Sequence, residues 1–266
     1  MNPHNRSDMK YHLLIFLFLT AIACHPATRK KTTASYTPIE VETIHIDSSD
    51  FDMCSMAECP PVRVDYIHFQ GESRRAEEIN EENIRFLSVL FHEYIREETE
   101  ISPTVPIAVA AFIREYLNFK VDYPQSVAIY ETITGQTMLS QNPQRIVVET
   151  QFYFYTGGAH GMNGTIFHNY DSQTGRLLTT EDLFSDWQAL TAHGEKIFRA
   201  QFDVPSDASL NDHGFFFEDD RFVLPDNVAV LPDKVVFLYN PYEAASYAQG
   251  QIRLEMPVRE IGQWLK

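Results

Sequence analysis

The segment 155–164 places one histidine, His160, among four glycines. Four glycines within eight residues indicate a backbone that turns with positive φ or closely approaches another group. His160 could serve there as a general base, a metal ligand, a contact to a partner or a structural hydrogen-bonding group. A zinc site would pair it with His168, but no third ligand stands at a suitable spacing. We predict no metal and no cofactor, and we count His160 and Gly158 among the candidate binding residues.

A second segment, residues 240–250, joins two predicted strands and contains two tyrosines. Tyrosines on such a loop present rigid aromatic surface of the kind that recognition sites use. The alternative is that both rings pack over the edge of a sheet. The candidate binding residues here are Asn240, Pro241, Tyr242, Glu243 and Tyr247.

The common catalytic signatures are missing from the sequence, which has no nucleophile elbow, zinc-protease motif, Walker loop or EF-hand loop. We therefore predict no catalytic residue. The rival hypothesis is an envelope hydrolase or deacetylase-type enzyme acting on peptidoglycan, with His160 assisted by Asn163 or Asp171.

Charge limits the classes of partner. The 266 residues include 21 Lys and Arg against 37 Asp and Glu, which gives a net charge of −16. Nucleic-acid binding needs clustered positive charge and is not expected. An acidic surface would attract a basic protein, although it could also serve solubility alone. In the loop 211–220 we expect the three phenylalanines in the core and the acids in solvent, where they could receive a basic partner.

The N-terminus has the pattern of an export signal. Arg6 and Lys10 precede an apolar run at 13–23, which is too short to span a bilayer. The run ends at Cys24, as in bacterial lipoprotein signals; an ordinary secretory signal with an incidental Cys24 is the alternative. We predict a signal peptide at 1–23, lipidation of Cys24 and a flexible tether at 24–38. The protein would then be anchored in the cell envelope, on the periplasmic side of the outer membrane in a diderm.

Two further cysteines, Cys54 and Cys59, are close in sequence. In an oxidising compartment a local disulfide is the natural interpretation. A zinc half-site is the alternative, but no second pair of ligands stands at a suitable spacing.

Hydrophobic periodicity predicts helices before a run of strands, which indicates an α+β fold. The N-terminal α+β module is predicted at 39–155 and a β-rich C-terminal module, with an antiparallel sheet and packed helices, at 156–266. A helix is expected at 76–98 and another after the cap Ser102; a capping box at Ser185 predicts a third. Val127, Ile129 and Ile133 alternate as in a strand. The remaining predicted strands are 39–46, 62–69, 145–155, 166–170, 176–178, 234–239 and 251–256, and a short helix is expected at 258–265.

Four motifs follow one another in the order seen in one bacterial family: YTGGAHG at 155–161, YDSQTG at 170–175, EDLF at 181–184 and NPYEAASYAQG at 240–250. The chain resembles the exported domain shared by lysozyme-sensing anti-sigma factors and the non-catalytic part of some peptidoglycan deacetylases. The resemblance covers about residues 62–265. It implies a helical N-terminal module, a β-rich C-terminal module and, in some members, lysozyme binding through loops that match 240–247 here.

These observations lead to one hypothesis. The chain is expected to be a lipid-anchored, non-enzymatic envelope protein that binds a protein, such as lysozyme, or cell-wall glycan through its C-terminal loops. We expect membrane contact through the N-terminal lipid and no binding to nucleic acid.

Overall fold

The computed structural model describes residues 36–95 and 100–266. The predicted signal peptide at 1–23, Cys24 and residues 25–35 of the tether lie outside the described residues. Within the described part of the chain, no helix is both long and apolar enough to cross a membrane.

Five strands form the larger sheet in chain order. Neighbouring strands are antiparallel except β2 and β3, which run parallel. A parallel pair needs a long crossover, and two helices supply it: α1 (Arg74–His92) and α2 (Val105–Asp122). The strands are β1 (Val41–Asp47), β2 (Val62–Phe69), β3 (Glu131–Gln141), β4 (Arg145–Tyr155) and β5 (Met162–Asp171).

Both crossover helices differ from the predicted bounds. The first begins at Arg74 and ends at His92, and residues 96–98 of the predicted helix lie outside the described residues. The second is capped by Thr104, whose side chain accepts the Ile107 N–H, and not by Ser102. A cap at Thr104 keeps Pro106 in the first turn, where its missing N–H breaks no helical hydrogen bond.

A second, antiparallel sheet consists of β6 (Val228–Val230), β7 (Lys234–Tyr239) and β8 (Ile252–Pro257). Three further helices accompany it: α3 (Thr180–Leu183), α4 (Trp187–Gln201) and α5 (Val258–Ile261). The predicted capping box at Ser185 is wrong. Asp186 caps α4, because the N–H and hydroxyl of Ser185 both donate to the Trp264 carbonyl.

Alternate residues of β7 show how the layers are stacked. Phe237 packs in one core with Phe198 of α4, whereas Val236 packs in another core with Val147 and Phe167 of the larger sheet. The opposite face of the larger sheet, here called the inner face, packs against α1 and α2. The layers are therefore α1 and α2, the larger sheet, the smaller sheet and α4, and the predicted α+β class is correct. The predicted module division at 155/156 falls between β4 and β5, which pair along ten residues.

The apolar alternation that predicted a strand at 127–133 does not mark a buried face. Val127 is 94% exposed and Ile133 is 48% exposed, while Thr132 and Thr134 are buried. The inner face of β3 is instead polar. It also carries Gln136, which forms a buried pair of amide side chains with Asn83. The Gln136 side chain exchanges two hydrogen bonds with Asn83 of α1, at 2.9 and 2.7 Å.

Asparagine side chains also join the two sheets along β5. Asn169 accepts the Val230 N–H and donates to the Val228 carbonyl of β6. Asn227 in turn accepts the Phe167 N–H and donates to the Thr165 carbonyl. Amide side chains thus replace a strand ladder, satisfying backbone groups that burial would otherwise leave unpaired.

Candidate functional site

Three rings meet where the β4–β5 connection lies against the β7–β8 connection. The His160 imidazole is stacked on Tyr247, with centroids 4.0 Å apart and planes 20° apart. The ring of Tyr242 lies 5.7 Å from that of Tyr247 and 6.5 Å from that of His160. We call His160, Tyr242 and Tyr247 the ring cluster. The structure therefore brings together two segments that the sequence shows far apart.

One backbone carbonyl orients two of these rings. The Tyr247 hydroxyl donates to the Gly161 oxygen at 2.9 Å, and Nδ1 of His160 lies 2.9 Å from the same atom. A carbonyl oxygen only accepts, so Nδ1 must carry a hydrogen. In the neutral imidazole Nε2 is then an acceptor, and the Tyr242 hydroxyl lies 3.4 Å from it. The three rings are positioned as a unit.

The glycines of the β4–β5 connection have structural causes. Gly157 and Gly158 adopt φ values of +97° and +104°, and the exposed Gly158 accepts the Tyr155 hydroxyl through its carbonyl. At Gly161 a Cβ would lie 2.4 Å from the ring of Tyr153. The loop is therefore shaped by backbone turns and by the tyrosine packed across it.

Asn240 is a structural residue of this region. Its Oδ1 accepts the Thr165 N–H at 2.8 Å, and its Nδ2 donates to the Thr165 carbonyl at 3.1 Å. The Glu243 carboxylate accepts the Asn240 N–H while remaining exposed. Asn240 thus ties the loop to β5, and Glu243 adds a negative charge at the surface.

Tyr242 is presented by a strained turn. Its φ is +74°, a conformation that costs a residue other than glycine about 1–2 kcal/mol. Pro241 before it is buried, and the Tyr242 N–H donates to the Ala245 carbonyl. The side chain nevertheless remains 51% exposed. Its contacts with Tyr247 and His160 leave about half of the ring open to solvent, where a partner could cover it.

Phe216 lies at the surface, contrary to the expectation from the sequence. We expected three consecutive phenylalanines in the core, yet only Phe215 and Phe217 are buried and Phe216 is 55% exposed. The Phe216 N–H donates to the Ala244 carbonyl, which places this ring on a loop bonded to the Tyr242 turn. The sequence could have indicated this exposure, because three successive side chains of an extended segment cannot all point to one side. Exposed Glu218 and Asp219 follow in the same loop.

The chemistry that the site could perform is limited by its neighbours. Within residues 36–95 and 100–266, His160 makes no hydrogen bond to a carboxylate, and Asn163 makes none to His160. The carboxylate of Asp171 caps its own turn at the far end of β5 by accepting the Thr174 N–H. His168 lies on the inner face against Phe86, away from the ring cluster. No group of three or more His, Cys, Asp or Glu side chains in the described residues is arranged to hold a metal ion.

Comparison with known proteins supports the fold. Residues 181–259 match the model of a family described as a protein of unknown function (DUF3298). A DUF3298 family member from Bacteroides fragilis has a similar crystal structure, with TM-score 0.66 and 20% identity over 87% of this chain and 95% of that chain. A DUF3298 family protein from Pseudomonas aeruginosa gives TM-score 0.61 and 20% identity over 87% of this chain and 96% of that chain. No curated protein matches.

The family match covers only part of the ring cluster. It runs from α3 through β8 and includes Tyr242 and Tyr247, but it does not include His160. The ring cluster therefore combines residues of the matched region with a residue that precedes it.

Proposed function

We propose that this chain is an exported, lipid-anchored envelope protein that binds a basic protein through the ring cluster. The observation that carries the proposal is Tyr242, a half-exposed aromatic side chain held at a φ of +74°. Backbone strain of this kind persists where the surrounding structure enforces it, and it clusters at functional sites. Exposed tyrosines held by their neighbours are typical anchors of protein interfaces.

The surroundings of the cluster favour a basic partner. Exposed Phe216 extends the aromatic surface, and Glu243 and Glu218 add exposed negative charges on the same two loops. Asp219 lies in the same loop as Glu218 but is paired with Arg221. The whole chain has a net charge of −16. Complementary charge speeds encounter and orients the partner, while the desolvated rings supply most of the affinity.

Lysozyme is the partner we propose to test first. It is a basic protein, and the motif resemblance implies lysozyme binding through the loop that matches residues 240–247. The described residues offer little support for the hydrolase alternative, because His160 makes no hydrogen bond to a carboxylate there and no Ser or Cys side chain is bonded to it.

The envelope location rests on the export signal predicted at 1–23 and on Cys24. A disulfide joins Cys54 to Cys59. Disulfides persist in oxidising compartments, so this bond is compatible with export. Metabolic labelling with palmitate, compared between the wild type and Cys24→Ser, tests the anchor.

A titration of the purified chain with lysozyme at low and high salt tests the proposed binding. We expect saturable binding that weakens with salt and falls by about tenfold or more in Tyr242→Ala. The matched control is Tyr123→Ala, because Tyr123 is another exposed tyrosine, at the end of α2. Equal losses in both variants, or no binding by the wild type, would refute the proposal. Binding of soluble peptidoglycan fragments at the ring cluster, without lysozyme binding, would assign the cluster to glycan instead.

A further inference from the structure

Gly135 lies in the middle of β3, and neither its backbone conformation nor a close contact in the described residues requires a glycine there. Gly135 has no positive φ, and a Cβ built on it would meet no heavy atom within 4 Å. Glycine weakens a strand interior, and where it occurs it often marks a place where a ligand approaches the backbone. Gly135 therefore leaves open a space that any other residue would partly fill.

That space is a groove of about 390 Å³ on the outer face of the larger sheet. Gly135 forms its floor, with Ile133 beside it and Tyr153 and Asn163 from the next two strands. Gln151 and Gln251 also line it. The groove lies beside the ring cluster but is built mainly from β3, β4 and β5.

Three polar side chains that line the groove make no hydrogen bond within the described part of the chain: exposed Gln151 and the half-buried Asn163 and Tyr153. Burial and the charge of Glu131 raise the pKa of Tyr153, so its hydroxyl stays protonated and can donate. By contrast, the Gln251 amide is held by Thr165 and Asn240. Free amides offer a donor and an acceptor side by side, which matches pairs of hydroxyl groups.

The lining contains no charged residue, although the protein carries a net charge of −16. Two acids lie near the groove: Glu131, whose charge acts on Tyr153, and Asp65, opposite Gly135 on β2. The Asp65 carboxylate is already bound, by Arg63 at 2.9 Å and by His45 at 2.6 Å. An anion is therefore disfavoured, and the uncharged lining itself suits an uncharged ligand.

An extended peptide fits less well. Strand addition needs a free sheet edge, whereas β3 and β4 are central strands with paired neighbours on both sides. The ligand must instead lie flat on the sheet face and bind through side chains. A pyranose does so, with its C–H face against the Tyr153 ring and its hydroxyls on the amides.

We propose that this groove binds uncharged pyranose units of a glycan chain. None of the three residues of the ring cluster lines the groove, although Tyr153 of the groove packs against Gly161, whose carbonyl orients His160 and Tyr247. Glycan contact through the sheet face would leave the β4–β5 and β7–β8 connections free for a protein partner.

The test is a calorimetric titration of the purified chain with two uncharged probes, tetra-N-acetylchitotetraose and cellotetraose. We expect saturable binding of at least one probe, weakened by about tenfold or more in Gly135→Val and in Gln151→Ala. The matched control is Thr137→Val, which lies on the same strand and face but outside the groove. Thermal unfolding of Gly135→Val should occur no lower than in the wild type, because the new side chain enters open space.

Three results would overturn the proposal: no saturable binding of either saccharide, binding unaffected by Gly135→Val, or equal loss in Thr137→Val. A neutral tripeptide that binds in place of both saccharides would also contradict it. Lysozyme binding is measured separately, so the two proposals can fail independently.

Discussion

The imidazole of His160 lies 4.0 Å from the phenol ring of Tyr247, and both side chains reach the carbonyl oxygen of Gly161. This contact joins the β4–β5 connection of one sheet to the β7–β8 connection of the other. We expect His160 to position Tyr247 and Tyr242 rather than to exchange protons, and the contribution of the flat ring can be separated from that of its nitrogens.

Replacing His160 separates these two roles. His160→Phe keeps a flat ring that can stack on Tyr247, so lysozyme affinity should remain within about threefold of wild type. His160→Ala removes the ring and should weaken binding by about tenfold. A titration with lysozyme measures both variants. An equally severe loss in His160→Phe would show that the imidazole nitrogens themselves are needed.

The strain at Tyr242 predicts an unusual order of stabilities. Tyr242→Gly and Tyr242→Ala both lose the ring, but only glycine adopts a φ of +74° without steric cost. The glycine variant should therefore be more stable than the alanine variant by about 1 kcal/mol. Urea denaturation of both variants measures the difference, and an alanine variant of equal or greater stability would contradict the strain.

Asn240 should act through folding rather than through contact with a partner. Asn240→Ala leaves the buried Thr165 N–H without its side-chain acceptor, while the Thr165 carbonyl keeps its hydrogen bond from Asn227. The loss should cost about 1–3 kcal/mol of unfolding free energy. Gln249→Ala, in the same connection but exposed, is the control and should change stability little. Equal stability of the two variants in urea would show that Asn240 does not tie the loop to β5.

Stability should depend on pH through His168. The residue is 7% exposed, and burial, assisted by the charge of Arg85, lowers its pKa from 6.5 to about 4. Between these values the unfolded chain binds a proton that the folded chain does not, so stability falls as the pH falls. The full loss, reached near pH 4, is about 3 kcal/mol.

His168→Phe should flatten this pH dependence, because phenylalanine does not titrate and can still pack against Phe86. Urea denaturation between about pH 7 and about pH 4 measures the slope. His168→Gln is the second variant if the larger ring does not fit. A slope identical to wild type in both variants would assign the pH dependence to other groups.

Periodicity predicted the class of the fold and most of the helices and strands, because local patterns of apolar residues indicate them. It did not predict α3 or β6, and the strand expected at 176–178 is only a single bridge between Leu177 and Tyr170. It failed at β3, where the buried face is polar. The inner position of Gln136 depends on Asn83, which lies 53 residues away in the sequence. No local pattern indicates such a pair. The hydrogen bonds of Asn240 to Thr165 could not be predicted for the same reason, since the two residues are 75 positions apart.

The sequence indicated which residues of the two connections to consider but not how they are arranged in space. Glycines and tyrosines singled out both connections, yet only the structure stacks His160 on Tyr247. The groove at Gly135 was not predicted, because a single glycine within a strand gives no indication of the space above it.

The most direct test of the account is the affinity of Tyr242→Gly for lysozyme, measured beside the wild type in one titration. This variant relieves the backbone strain and removes only the exposed ring. We predict a folded protein whose affinity for lysozyme is lower by about tenfold or more. Wild-type affinity in Tyr242→Gly would contradict the claim that the ring cluster is the binding surface.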